Sequence, residues 1–189
     1  MKDLIDFLTA THLLTPPQID FIMSKCVAQK IKANINISKP QKVPHEIAFI
    51  VKGVFRIFYI DDSGNEITKF LMEENNFIVD IDNYLKVRPS SDYIQSITPC
   101  EMLIISRKHL TEIEVEIPNW PKIASQLITQ SYLKKIQLIS PMLHENATVR
   151  YVNFVKNCPN IATKIPLSFI ASYLGITQQS LSRIRKNLS

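Results

Sequence analysis

The stretch Ile170-Ala171-Ser172-Tyr173-Leu174-Gly175-Ile176-Thr177-Gln178-Gln179-Ser180-Leu181-Ser182-Arg183 decides how this chain is read. It begins inside a predicted helix, Leu167–Leu174, with Pro166 at the helix start. Gly175 can take the positive φ of a sharp turn. Thr177 is a good N-cap for the next predicted helix, Gln178–Asn187. Ala171 is small where two helices would cross closely, and Leu174, Ile176 and Leu181 can form a small core beneath the turn. Gln178, Gln179, Ser182 and Arg183 then share the open face. This is a helix-turn-helix pattern whose second helix is the one expected to enter a nucleic-acid groove. Glutamine can pair bidentately with adenine and arginine with guanine. Arg185, Lys186 and Thr177 are expected on phosphates, which set register without reading bases, and Ser168 completes the candidate DNA-contacting set. The competing reading is a surface helical hairpin with incidental charge.

Charge bears on this choice. The chain has 189 residues and a net charge of +5. Residues 1–145 are close to neutral, whereas residues 146–189 hold Arg150, Lys156, Lys164, Arg183, Arg185 and Lys186 and no acid. A near-neutral body with a basic module suggests a polyanionic partner; charge alone fits a solvated basic surface with no partner equally well.

Working outward, Asn146–Asn157 reads as a helix closed by Cys158-Pro159. Pro118 and Pro121 open a long helix to about Ser140. Its apolar residues Ile123, Ala124, Leu127, Ile128, Tyr132, Ile136, Leu138 and Ile139 span a sector of roughly 220° at 100° per residue. A stripe that wide should meet the chain's own body and a second copy. From Val27 to Ile105 the pattern is short strands, with Ile31, Ile35 and Ile37 alternating. Val54–Ile60 and Ile67–Met72 flank the turn cluster Asp61-Asp62-Ser63-Gly64-Asn65. Such spacing predicts a small β-sandwich or barrel. Residues 3–10 read as a short helix, and Thr15-Pro16-Pro17 starts another to about Cys26.

Several classes fall away. Three glycines are too few for a Rossmann or phosphate-loop fold. No apolar run approaches the roughly 20 residues of a membrane span, and the acidic start is unlike a secretory leader. The chain is read as cytoplasmic. Cys26, Cys100 and Cys158 read as buried free thiols, and His12, His45, His109 and His144 lack metal-binding spacing, so neither a metal nor a cofactor is expected. Catalytic activity is not expected either.

Ile165–Lys186 resembles the helix-turn-helix of the Crp/Fnr transcription regulators. The resemblance extends to Ala48–Arg56, similar to the family's strand-Gly-strand segment, and to Asp62–Glu66, similar to its hairpin turn, so all three glycines fall at family glycine positions. The wording around Glu145, Arg150, Tyr151 and Ile170–Thr177 looks most like the Bacteroidetes-type members. The resemblance implies an α+β protein. An N-terminal double-stranded β-helix (jelly roll) of the cyclic nucleotide-binding-like type would cover residues 1–117. A dimerisation helix would cover 118–140, and an all-α helix-turn-helix domain 141–189. It implies a homodimer on double-stranded DNA, with an unidentified small-molecule effector and RNA polymerase as further partners.

The family's phosphate cassette reads Phe-x-Gly-Glu, then Arg-Ser or Arg-Thr. Aligned without gaps from Phe77 to Cys100, the glycine position is Val79, the glutamate position Asp80 and the arginine position Ser90. Without the arginine, a buried charge-assisted pair is missing, so cyclic AMP is not the expected effector. Asp80, Asp82, Arg88, Ser90 and Ser91 remain as candidates for a residual effector pocket. The rival assignment is a small-molecule-binding β-roll whose helical tail makes protein contacts.

Overall fold

The computed structural model describes residues 2–10 and 13–188. The β-rich stretch forms two four-stranded sheets. One runs β1 (Val27–Ile31), β8 (Cys100–Ser106), β3 (Glu46–Lys52), β6 (Phe77–Ile78); the other runs β2 (Asn36–Ser38), β7 (Tyr93–Ser96), β4 (Phe55–Ile60), β5 (Glu66–Met72). All pairs are antiparallel. Sheet neighbours distant in sequence make this a double-stranded β-helix, or jelly roll. Ile50, Phe55, Ile57, Met72, Ile78, Ile94 and Met102 from both sheets fill the space between them. Gly53 joins β3 to β4 at φ +102°. A Cβ there would lie 2.6 Å from Cys100 Sγ and 2.7 Å from the Pro99 carbonyl, so only glycine fits. In the β4–β5 turn, Asp61 Oδ1 accepts the N–H groups of Asn65 and Ser63 at 2.8 and 2.9 Å, and these bonds hold its carboxyl below the usual range.

The outer face of the β3/β8 sheet is covered by helices. Leu4 and Leu8 of α1 (Lys2–Thr9), Ile19 and Ile22 of α2 (Pro16–Ser24), Ile113 of α4 (Arg107–Glu116) and Trp120 and Ile123 of α5 (Trp120–Ile139) pack on Phe49, Leu103 and Ile105. Gln18 Oε1 accepts the Thr15 N–H at 2.9 Å, closing the start of α2.

The wide apolar stripe of α5 divides in two. Ile123 is buried in the roll, with Ala124 and Leu127 packed beside it. Ile128, Tyr132 and Ile136, one helical repeat apart, are 39%, 61% and 43% exposed, so this second face is open in the single chain. A 3₁₀ turn (Ser140–Leu143) leads to α6 (Ala147–Asn157), α7 (Pro159–Lys164), α8 (Leu167–Tyr173) and α9 (Gln178–Leu188). Phe154, Ile161, Ile165, Ile170, Ala171, Leu174 and Leu181 form their core, and Val54 and Ile97 of the roll enter it.

The structure corrects the sequence reading in several places. Asn34, at φ +62°, breaks the expected Ile31–Ile37 alternation, and Ile35 and Ile37 are exposed. Helix α3 (Ile81–Lys86), α4 and α7 were not anticipated. Pro159 does not simply close a helix; it opens the next one, where its missing N–H is harmless. Only Cys100 is fully buried, while Cys26 and Cys158 are half-buried. All three thiols are free, and burial still pushes Cys26 up to about 11. Among the described residues no helix is long and apolar enough to cross a membrane, and no cluster of three His, Cys, Asp or Glu side chains could hold a metal. His12 lies outside the described residues.

Candidate nucleic-acid interface

The turn between α8 and α9 is built by local chemistry. The Leu174, Gly175 and Ile176 N–H groups donate to the carbonyls of Ile170 (2.9 Å), Ser172 (3.2 Å) and Ala171 (3.0 Å). Gly175 sits at φ +66°, where a side chain is strained. Thr177 Oγ1 accepts the Ser180 N–H at 3.1 Å and so caps α9. Leu181, fully buried, anchors α9 beneath the turn, with Leu174 and Ala171 also buried.

That anchoring fixes which side of α9 faces outward. Gln178, Gln179, Ser182, Arg183, Arg185 and Lys186 are all exposed, and so are Thr177 and Ser168. At 100° per residue, Gln178, Gln179, Ser182, Arg183 and Lys186 fall on one side of α9, opposite Leu181 and Ile184. With no acid in residues 146–189, this face is uniformly polar or cationic. Such a face can donate hydrogen bonds to phosphate oxygens and present amide and guanidinium groups to base edges.

Sequence reasoning missed what holds this module against the roll. The Thr68 N–H of β5 donates to Ser172 Oγ at 2.9 Å, and Ser172 Oγ donates to the Glu66 carbonyl at 3.0 Å. Arg56 of β4 is buried, with its guanidinium 3.9 Å from the Phe58 ring centroid and 4.0 Å from that of Phe169. It also donates to Gln95 Oε1 and Glu66 Oε2. Lys164 reaches Glu74 at 3.6 Å, and Glu74 accepts the Gly53 N–H at 3.0 Å. Arg150 of α6 lies by the turn, its Nη1 being 3.6 Å from where a Gly175 Cβ would sit. No short motif announces such pairs, because their members lie on different elements.

Of the five candidates for an effector pocket, Asp80 and Ser90 meet, and Asp82, Arg88 and Ser91 are exposed. Ser90 is buried and donates to Asp80 Oδ2 at 2.6 Å, while accepting the Asp92 N–H at 3.0 Å. Asp80 also caps α3. These two side chains therefore satisfy each other. Asp82 is exposed and pairs with Lys86, and Arg88 and Ser91 are exposed. Asp92, not singled out in the sequence, is buried and pairs with Lys69 at 2.7 Å.

No family model matches the sequence, and no curated protein matches it. Solved structures do match. CLP, a c-di-GMP-responsive global regulator from Xanthomonas campestris, superposes with a TM-score of 0.72 at 14% identity, covering 92% of this chain and 91% of that one. FixK2 from Bradyrhizobium japonicum gives 0.74 at 12% identity, covering 86% and 84%. A structure described as a transcriptional regulator of the crp/fnr family, from Eubacterium rectale, gives 0.72 at 16% identity, covering 96% and 87%. The chain has the Crp/Fnr fold. The likeness spans roll, long helix and C-terminal helices together, which is the α+β architecture expected from the sequence. At these identities a shared Crp/Fnr fold speaks to architecture and leaves function to the site.

Proposed function

We propose that the chain is a sequence-specific, DNA-binding transcription regulator of the Crp/Fnr type, acting as a homodimer and without catalytic activity. Residues 1–117 are its β-roll, 118–140 its dimerisation helix and 141–189 its DNA-binding module. The observation that carries this reading is the outward face of α9, where Gln178, Gln179, Ser182, Arg183 and Lys186 are exposed opposite buried Leu181 on a capped, acid-free module. Gln178, Gln179, Ser182 and Arg183 are assigned to base edges; Ser168, Thr177, Arg185 and Lys186 are assigned to phosphates.

The open Ile128–Tyr132–Ile136 face supports pairing of two α5 helices, because an exposed apolar seam of this spacing is what a helix–helix interface buries. A twofold dimer would present two α9 helices to half-sites about 34 Å apart. Ser90 in the arginine position of the cassette, bonded to Asp80, supports an effector other than cyclic AMP. In vitro selection of duplexes by the full-length protein tests the reading. The expected result is an enriched inverted repeat with half-sites one helical turn apart. No enrichment over the starting pool refutes sequence-specific binding and favours a tail that contacts protein instead.

A further inference from the structure

We propose that the cavity where β5, α5 and the C-terminal module meet binds a small zwitterion, specifically an α-amino acid with an apolar side chain, as the effector of the regulator inferred above. The cavity measures about 220 Å³. Phe70 of β5, Glu73 just beyond it, Lys134 and Lys135 of α5, Ile161 of α7 and Tyr173 of α8 are among its walls.

Two opposite charges border this space without pairing. Lys135 is half-buried, and its ammonium stands 4.8 Å from the Phe70 ring centroid. None of the ion pairs among the described residues gives it a carboxylate. Burial alone pulls its pKa down from the usual lysine value. Glu73 Oε2 is buried with no hydrogen-bond partner. A desolvated cation and a carboxylate with one oxygen shut off from water each favour an opposite charge in the adjoining space. One occupant with both a carboxylate and an ammonium supplies both, and Lys134 adds a second cation on the carboxylate side of the balance. A purely anionic ligand leaves Glu73 opposed, and a purely cationic one meets two lysines. Phe70, Ile161 and Tyr173 offer apolar area to a side chain, with ring faces for an aromatic one. The volume is enough for a single amino acid.

The position carries a regulatory consequence. The occupant touches the roll through Phe70, the long helix through Lys135, and the DNA module through Ile161 and Tyr173. A ligand that binds one arrangement of these three parts better than another shifts the population toward it, and with it the placement of α9.

Fluorine NMR titration of the full-length protein tests the site with three probes: para-fluorophenylalanine, para-fluorophenylacetate, which lacks the ammonium, and para-fluorophenethylamine, which lacks the carboxylate. Saturable binding of the amino acid is expected, with each truncated probe weaker by roughly tenfold or more. Lys135→Met and Glu73→Gln should each weaken the amino acid by roughly tenfold, and Lys135→Arg should restore most of the loss. No saturable binding of the amino acid, equal binding of the acetate, or indifference to both Lys135→Met and Glu73→Gln overturns the proposal. Duplex binding by the same preparation without probe reads the regulator function separately. Duplex binding without amino-acid binding sinks the site alone, and amino-acid binding without duplex binding sinks the regulator reading alone.

Discussion

Replacing Gly175 or Gly53 with alanine separates two reasons for glycine, and the structure sets different magnitudes for each. At Gly175, φ is +66° and the nearest atom to an added Cβ is Arg150 Nη1 at 3.6 Å, an ordinary van der Waals separation from a movable group. The penalty is then the intrinsic cost of left-handed backbone, about 1–2 kcal/mol, reduced by about 0.4–1 kcal/mol because alanine restricts the unfolded chain. The net loss should be about 1 kcal/mol, lowering Tm by roughly 2–4 °C in a chain of this size. At Gly53 the same substitution places the new Cβ 2.6 Å from Cys100 Sγ and 2.7 Å from the Pro99 carbonyl, and the carbonyl is backbone. Strain and overpacking together should cost about 2–5 kcal/mol. Urea denaturation of both variants, read by far-UV circular dichroism with the slopes compared, measures the difference. A Gly175→Ala variant at least as destabilised as Gly53→Ala would falsify the reasoning, since it would require a steric clash at the turn that the structure does not contain.

Other expectations follow from single residues. Arg183→Ala should weaken binding by roughly 1–3 kcal/mol and relax preference at one base position if it reads a base; a selected duplex and its single-base variants, compared by fluorescence anisotropy, report this. Equal weakening across all sequences would instead place Arg183 on a phosphate. Tyr132→Glu puts a charge on the open α5 seam and should convert the dimer to monomer in light scattering. An unchanged mass would remove α5 from the interface. Ser172→Ala removes the acceptor of the Thr68 N–H and the donor to the Glu66 carbonyl, so global stability should fall by about 1–3 kcal/mol with α9 intact. Calorimetric titration with cyclic AMP should show no binding at micromolar concentration, and a micromolar or tighter isotherm would contradict the assignment of Ser90 and Asp80 to each other.

What the sequence disclosed depended on whether the signal was local. The helix-turn-helix was legible because Gly175, Thr177 and Leu181 each do their work within one or two turns of chain. The roll was legible from its short strands, and Gly53 marked one of its corners. α3, α4 and α7 were not, because each is short or weakly amphipathic; the start signals of two of them served another reading, Asp80 as a ligand and Pro159 as a terminator, and Ser106 before α4 was not read as a cap. The width of the α5 stripe showed that the helix faces two ways, yet only packing showed that Ile123 belongs to the roll and Tyr132 does not. The junction was invisible for a different reason. Ser172 meets Thr68 across 104 residues, and Arg56 stands between Phe58 and Phe169 on separate elements. Neither spacing nor composition encodes such meetings. The same holds for Asp80 and Ser90, whose mutual hydrogen bond turns two candidate ligand groups into a closed pair.

The most direct test is fluorescence anisotropy of the full-length protein on a labelled inverted-repeat duplex, titrated across salt concentrations, beside a variant with Arg183, Arg185 and Lys186 all changed to glutamine. Binding should weaken steeply as salt rises. The variant should show a shallower slope, by about one in log K against log salt for every phosphate it no longer neutralises. Salt-insensitive binding, or a variant that binds as tightly as the native chain with the same slope, would contradict the assignment of α9 to DNA.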